Sequence, residues 1–184
     1  MSQTTQHLRE EHAQARRFLR AFLQFLKQIA EDTALDSRDA LGVMEFLSES
    51  ALLRHEEKEE SLLLPELARM RETMVPEALQ KIRAEHSVGR ELLEEMRGEM
   101  FRGSDWGPGE RARFAAAGTR WVEFLLRHML AEETYFFPVV DELLSADIDA
   151  LLVRDFQRVD EEFDQMADAC ILRTSGDAFI RRYT

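Results

Sequence analysis

Apolar residues recur along this chain at alternating intervals of three and four, the spacing that lines up one stripe on an α-helix. In a first segment, about 5–30, the stripe runs through Leu8, Ala15, Leu19, Phe22, Leu26 and Ile29, and His12 fills its one missing position. A second segment, 37–71, reads Leu41, Met44, Ser48, Ala51, His55, Glu59, Leu62. A third, 76–101, reads Leu79, Ile82, His86, Gly89, Leu93, Met96, Met100, and a fourth, 109–144, reads Phe114, Ala117, Trp121, Phe124, His128, Ala131, Tyr135. Turn-forming residues at 31–37, 73–76, 103–109 and 145–147 separate the segments. Four amphipathic helices with short connections predict an all-α, up-down-up-down four-helix bundle over about 5–144, in a single domain spanning 1–184. A fifth, shorter segment (about 146–170) has Ile148, Leu151, Leu152, Phe156, Val159 and Phe163 on one side. It predicts an additional C-terminal helix followed by a short tail, either packed on the bundle or forming a homodimer contact. Pro65 and Pro138 are expected to kink or end helices two and four.

The chain repeats itself. LRHEEKEESLLLPEL, beginning at Leu53, returns 73 residues later as LRHMLAEETYFFPVV, beginning at Leu126. Each copy carries His, Glu four residues on, a second Glu, and Pro ten residues after the His. Residues 8–19 match 82–93 at an offset of 74, so that His12 corresponds to His86. Residues 5–71 and 76–144 therefore read as two copies of one helical hairpin, related in the bundle by approximate two-fold symmetry.

The interruptions in the stripes carry the chemistry. Every helix places one His in its seam, and helices two and four add Glu at i+4, on the same face. His12, His55, Glu59, His86, His128 and Glu132 converge from four helices as four imidazoles and two carboxylates. Carboxylates buried without a partner cost several kcal/mol or shift their pKa strongly. A pair of divalent cations offsets that charge and uses every lone pair, so the six are read as metal ligands. Imidazole with bridging carboxylate suits iron, and manganese or zinc less well. By symmetry each metal takes two His, and each Glu bridges or chelates. The ferritin-like arrangement fits poorly, because it uses Glu-xx-His on two helices and Glu alone on the others.

Residues around the six divide between the site, the surface and the core. Tyr135, one turn past Glu132, is a candidate hydrogen-bond donor to a bridging group. Glu11 and Glu85, each just before a ligand His, read first as a solvated helix face, with orienting an imidazole as the alternative. Glu60 and Glu133 lie off the inward face and read as surface residues, and Arg16 and Arg90 as surface partners of nearby acids. His7 falls off the seam. Trp121 and Phe124 read as core that keeps the site dry.

Bulk properties narrow the function. A net charge of −12 argues against nucleic acid as a partner. No apolar run approaches the ~20 residues of a membrane span. The N-terminal MSQTTQHLREEH has no signal-peptide apolar core, and Cys170, the one cysteine, allows no intrachain disulfide. The expectation is a cytoplasmic protein.

The pattern His12…His55-xxx-Glu59…His86…His128-xxx-Glu132 resembles the hemerythrin-like, or HHE cation-binding, domain over about residues 5–144. That resemblance implies a four-helix bundle holding two non-haem iron ions, oxo- or hydroxo-bridged, that meet O₂, NO or peroxide. Oxygen-carrying members have a second His one turn after the ligand on helix three, where this chain has Arg90. They also set the last acid five residues after its His, where the interval here is four. The ligand set is similar to the symmetric four-His, two-Glu type of iron-centre repair proteins. Three functions follow as expectations: a binding or sensing module for O₂ or NO, an oxidoreductase consuming peroxide or NO, and an iron storage or delivery protein.

Overall fold

The structure, a computed structural model, describes residues 1–31, 43–44, 47, 51–70, 75–100, 106–165 and 169–184. The first line of the bundle is α1 (Gln3–Glu31). The second is α2 (Ala51–Glu57), a π-helical stretch π1 (Lys58–Leu63) and α3 (Leu64–Arg69), continuous with one another. The third is α4 (Val75–Met100). The fourth is α5 (Pro108–Ala131), a second π stretch π2 (Glu132–Phe136) and α6 (Phe137–Leu143). Most of the expected start of helix two, 37–50, lies outside the described residues, though Val43, Met44 and Leu47 are buried in the core. The fold is all-α, a helical bundle with further helices at the C-terminus.

Two apolar clusters fill the bundle. The larger joins Phe18, Phe22, Phe25 and Leu26 to Met96, Phe114, Trp121 and Leu125. The smaller joins Leu8, Leu63, Ile82, Phe136 and Phe137 to Leu152 and Phe156. On each line of helix the His and Glu of the seam fall between residues of the two clusters, forming one buried polar belt. Gly118 permits the close approach of α1, because a Cβ there would meet the Leu26 methyls at 2.8 Å.

Two expectations are corrected. Where one C-terminal helix and a tail were expected, there are two helices, α7 (Ala146–Asp164) and α8 (Ala169–Tyr183). The tail is helical because Phe179 and Tyr183, four apart, have somewhere to pack. Phe179 lies 5.4 Å from both Phe18 and Phe25 between ring centroids, and Tyr183 5.1 Å from Phe25. Both helices pack on the bundle: α7 through buried Leu152 and Phe156, α8 against α1.

Of the expectation that Pro65 and Pro138 kink or end their helices, the ending is corrected, because helix continues past each proline. Each follows a π turn in which the backbone N–H five residues on reaches the carbonyl of Glu59 or Glu132, donated by Leu64 and Phe137 respectively. A proline has no N–H and crowds the carbonyl four residues before it. Slipping the ladder from i−4 to i−5 just ahead of the ring lets the helix run on past it. The signal was present in the sequence as Pro six residues after the acid in both copies.

Candidate metal centre

Each of the four lines delivers its seam residues to one place. His12, His55, His86 and His128 are buried, and Glu59 and Glu132 are 0% exposed. His12 Nε2 lies 3.0 Å from His55 Nε2 and 3.2 Å from Glu132 Oε2. Glu132 Oε1 lies 3.0 Å from His128 Nε2 and 3.9 Å from His86 Nε2. Glu59 Oε2 lies 3.1 Å from His86 Nε2, and its Oε1 3.6 Å from His55 Nε2. Each carboxylate thus sends one oxygen to the pair His12/His55 and the other to His86/His128.

The imidazoles are oriented from behind by a closed ring of carboxylates. Each His Nδ1 has one acceptor on a neighbouring line: Glu11 for His55 at 2.9 Å, Glu60 for His86 at 2.8 Å, Glu85 for His128 at 2.8 Å and Glu133 for His12 at 2.9 Å. A carboxylate can only accept, so the Nδ1 of each ring carries the proton and donates it. All four Nε2 lone pairs then face the centre, the arrangement in which an outer carboxylate raises a ligand imidazole's basicity. Glu11 and Glu85 stand where the sequence reading allowed. Glu60 and Glu133, read there as surface residues, do not: they turn away from the centre but reach the back of the imidazole on the next helix. Their recurrence immediately after Glu59 and Glu132 was the available signal. Arg16 donates to Glu133 at 2.7 Å, and Arg90 to Glu56 at 2.6 Å and Glu60 at 3.2 Å. Both arginines thus meet acids, as expected, and those acids are part of the ring.

Tyr135 does not join the group. Its side chain is 73% exposed, because a residue three positions along the wider π turn falls round the outside of the helix instead of stacking on the inward face. His7 also stays apart. With Glu11 and Asp160 it surrounds the fully buried Lys58 ammonium, which lies 3.0, 2.5 and 2.6 Å from the three. That cluster of acids is held by a lysine cation.

The six inward residues fit a metal pair. Both oxygens of Glu59 and of Glu132, and Nε2 of His86 and His128, are buried with no hydrogen-bond partner. Unpaired buried groups of this kind cost about 1–3 kcal/mol each, more when charged. Donor atoms about 2.1 Å from one metal and at right angles would stand roughly 3.0 Å apart. The closest inward contacts, 3.0 to 3.2 Å, match that spacing.

With protons alone the cluster is frustrated. Burial, helped by the nearby His55 charge, holds the His12 imidazole far below its usual range. Burial opposes charge on His55 and His128 too, but the Glu59 carboxylate with Glu11, and Glu132 with Glu85, outweigh it and raise each to about 9. Burial and the Glu59 charge push Glu132 up to about 7. Two carboxylates in one dry cavity resist ionising together, and divalent cations relieve that conflict.

A void of about 20 Å³ lies on the imidazole side, lined by His12, His55 and His128 with Ala15, Leu125 and Met129 among others. It is the size of one water molecule.

The family model described as the hemerythrin HHE cation binding domain matches residues 3–140. No curated protein and no solved structure matches the chain.

Proposed function

Because the chain belongs to the hemerythrin HHE cation-binding family, we propose that its six inward donors hold two iron ions and that the pair binds or reacts with O₂, NO or peroxide. The observation that carries this reading is the division of both carboxylates between two His pairs, with neither carboxylate hydrogen-bonded. His12 and His55 would hold one ion and His86 and His128 the other, with Glu59 and Glu132 able to serve both.

An iron pair supplies one- and two-electron redox chemistry toward small oxidants. The chain's own residues do the rest. The carboxylate ring of Glu11, Glu60, Glu85 and Glu133 keeps each Nδ1 protonated and each Nε2 free to bind. Phe137 stacks on His12 at 5.4 Å and Phe124 on His128 at 6.2 Å between ring centroids, closing the imidazoles off from bulk water. The void beside His12, His55 and His128 admits one small molecule. Arg90, where oxygen carriers have a further His, points outward to Glu56 and Glu60, so neither metal gains a fifth protein ligand from that position. O₂ is therefore expected to oxidise the reduced protein without forming a long-lived reversible adduct. Among the described residues no helix is long and apolar enough to cross a membrane, and the setting proposed is the cytoplasm.

Elemental analysis should find two iron atoms per chain, and Glu59→Ala should lose both together. One tightly bound zinc, with no second site after iron loading, would overturn the reading. Mixing the reduced iron-loaded protein with O₂, NO and peroxide then assigns the role. A persistent adduct marks a binding or sensing module, multiple turnover an oxidoreductase, and loss of iron to a chelator a storage or delivery protein.

A further inference from the structure

The two halves of the bundle repeat the residues of the belt but not what lies beside its carboxylates. In the first half the groove between α1 and π1 is filled from within by the Lys58 side chain, 0% exposed. Helix α7 roofs it. Thr4 donates to Asp149 from N–H at 2.8 Å and from its hydroxyl at 2.6 Å. Leu152 and Phe156 pack with Leu8 and Leu63, and Asp160 receives Lys58 at 2.6 Å.

The second half holds different residues at the matching positions. Ala131 stands where Lys58 would be, Ala78 for Thr4, Lys81 for His7 and Val139 for Glu66. Among the described residues no helix lies over this groove, which forms a cavity of about 110 Å³. Its wall is mainly apolar, from Ala78, Ile82, Ala131, Phe136 and Val139, with Glu132 in it, Lys81 and Glu85 along one side and Tyr135 at an exposed edge. The first half thus displays an occupied and covered groove, and the second the same groove open.

We propose that the groove between α4 and π2 is a binding site for one small, uncharged, mainly apolar molecule, and the side from which such a molecule approaches the metal pair. A charged ligand would shed its hydration against a mainly apolar wall whose Lys81 and Glu85 already meet one another at 3.9 Å, Glu85 also meeting His128. The volume is of the order of the roughly 150 Å³ apolar cavities that take up benzene or xenon. The fully buried charged group behind the wall is Glu132, 0% exposed and with no hydrogen-bond donor to its carboxylate oxygens, so the groove ends beside a residue of the belt itself. Lys58 and α7 close the matching route in the first half. The role at the metals rests on the di-iron reading. The binding site does not.

Xenon tests the site in the metal-free protein, by crystals under xenon pressure or by xenon NMR titration. One xenon is expected against Ala131, Ile82 and Phe136, with none between α1 and π1. Ala131→Met should abolish it, and Val139→Trp, placed at the opening, should do the same should the first variant fold poorly. In the iron-loaded reduced protein, the association rate of nitric oxide should fall about tenfold in either variant at unchanged iron content. Absence of xenon from this groove, or a solution dimer that buries Tyr135, overturns the site. An unchanged nitric oxide rate despite lost xenon overturns the approach route. Xenon uptake by a protein that never holds iron supports the site and defeats the di-iron reading instead.

Discussion

At the scale of single residues, position relative to a neighbouring helix mattered more than position on a helix's own face. Glu60 and Glu133 look solvated when each helix is drawn alone, yet each orients an imidazole on the next line. Removing such a partner typically costs 10–100-fold in metal affinity. Glu133→Ala should therefore weaken metal binding by roughly that factor, because His12 then has nothing to fix its tautomer. Competition with a calibrated chelator measures it. An affinity within about twofold of the parent would mean that packing against Phe137 alone holds the His12 ring.

At the scale of elements, the π turns set the geometry of the carboxylates. Glu59 is the second residue of π1 and Glu132 the first of π2, and Pro65 and Pro138 follow them six residues later in both copies. If the proline enforces the slip, Pro65→Ala restores an N–H to the ladder and lets α2 and α3 run on as an ordinary helix. Glu59 then rotates relative to His55. The expected outcome is a protein with equal or greater helical signal in circular dichroism and at least about tenfold weaker metal binding. Full metal affinity with unchanged helicity would show that packing, not the proline, holds the π turn. The repeated spacing made both elements visible in the sequence. Their π character was not visible, because a proline in a helical pattern ordinarily reads as an end or a kink.

At the scale of the whole molecule, the N-terminus of α1 is tied to the far end of the chain. Asp149 accepts from the N–H groups of Gln3 and Thr4 at 2.9 and 2.8 Å, and Asp141 from Ser2 N–H and Thr5 hydroxyl, both at 2.6 Å. These carboxylates satisfy helix-start donors that have no partner within the helix. Burial opposes ionisation of both, but the hydrogen bonds from Ser2, Thr4 and Thr5 outweigh it and hold both below the usual range. A depressed folded-state pKa contributes stability that is complete above the unfolded value, about 3.9, and lost as pH falls through the folded one. Metal-free protein should therefore lose stability to denaturant as pH drops below about 4, and Asp149→Asn should flatten that acid limb. The same variant should cost about 1–2 kcal/mol at neutral pH. An acid limb identical in the variant would locate the loss elsewhere.

Periodicity and repetition alone determined much of this protein. Intervals of three and four define amphipathic helices, because 3.6 residues per turn leave little choice of face. The offsets of 73 and 74 define two equivalent hairpins, and His and Glu at inward positions define a polar belt that apolar neighbours cannot satisfy. These are local or symmetry-related properties, and a linear pattern encodes them. Tertiary structure decided what depends on which helix lies next to which. It turned Glu60 and Glu133 toward imidazoles one line away, carried Tyr135 to the outside of a π turn, and brought Phe179 and Tyr183 back onto α1. It also laid α7 over one of two equivalent grooves, burying Lys58 there and leaving Ala131 beside an open cavity. Contacts between separate helices, from 26 residues apart for Glu60 and His86 to over a hundred for Glu133 and His12, have no period in the sequence, so only the folded chain displays them.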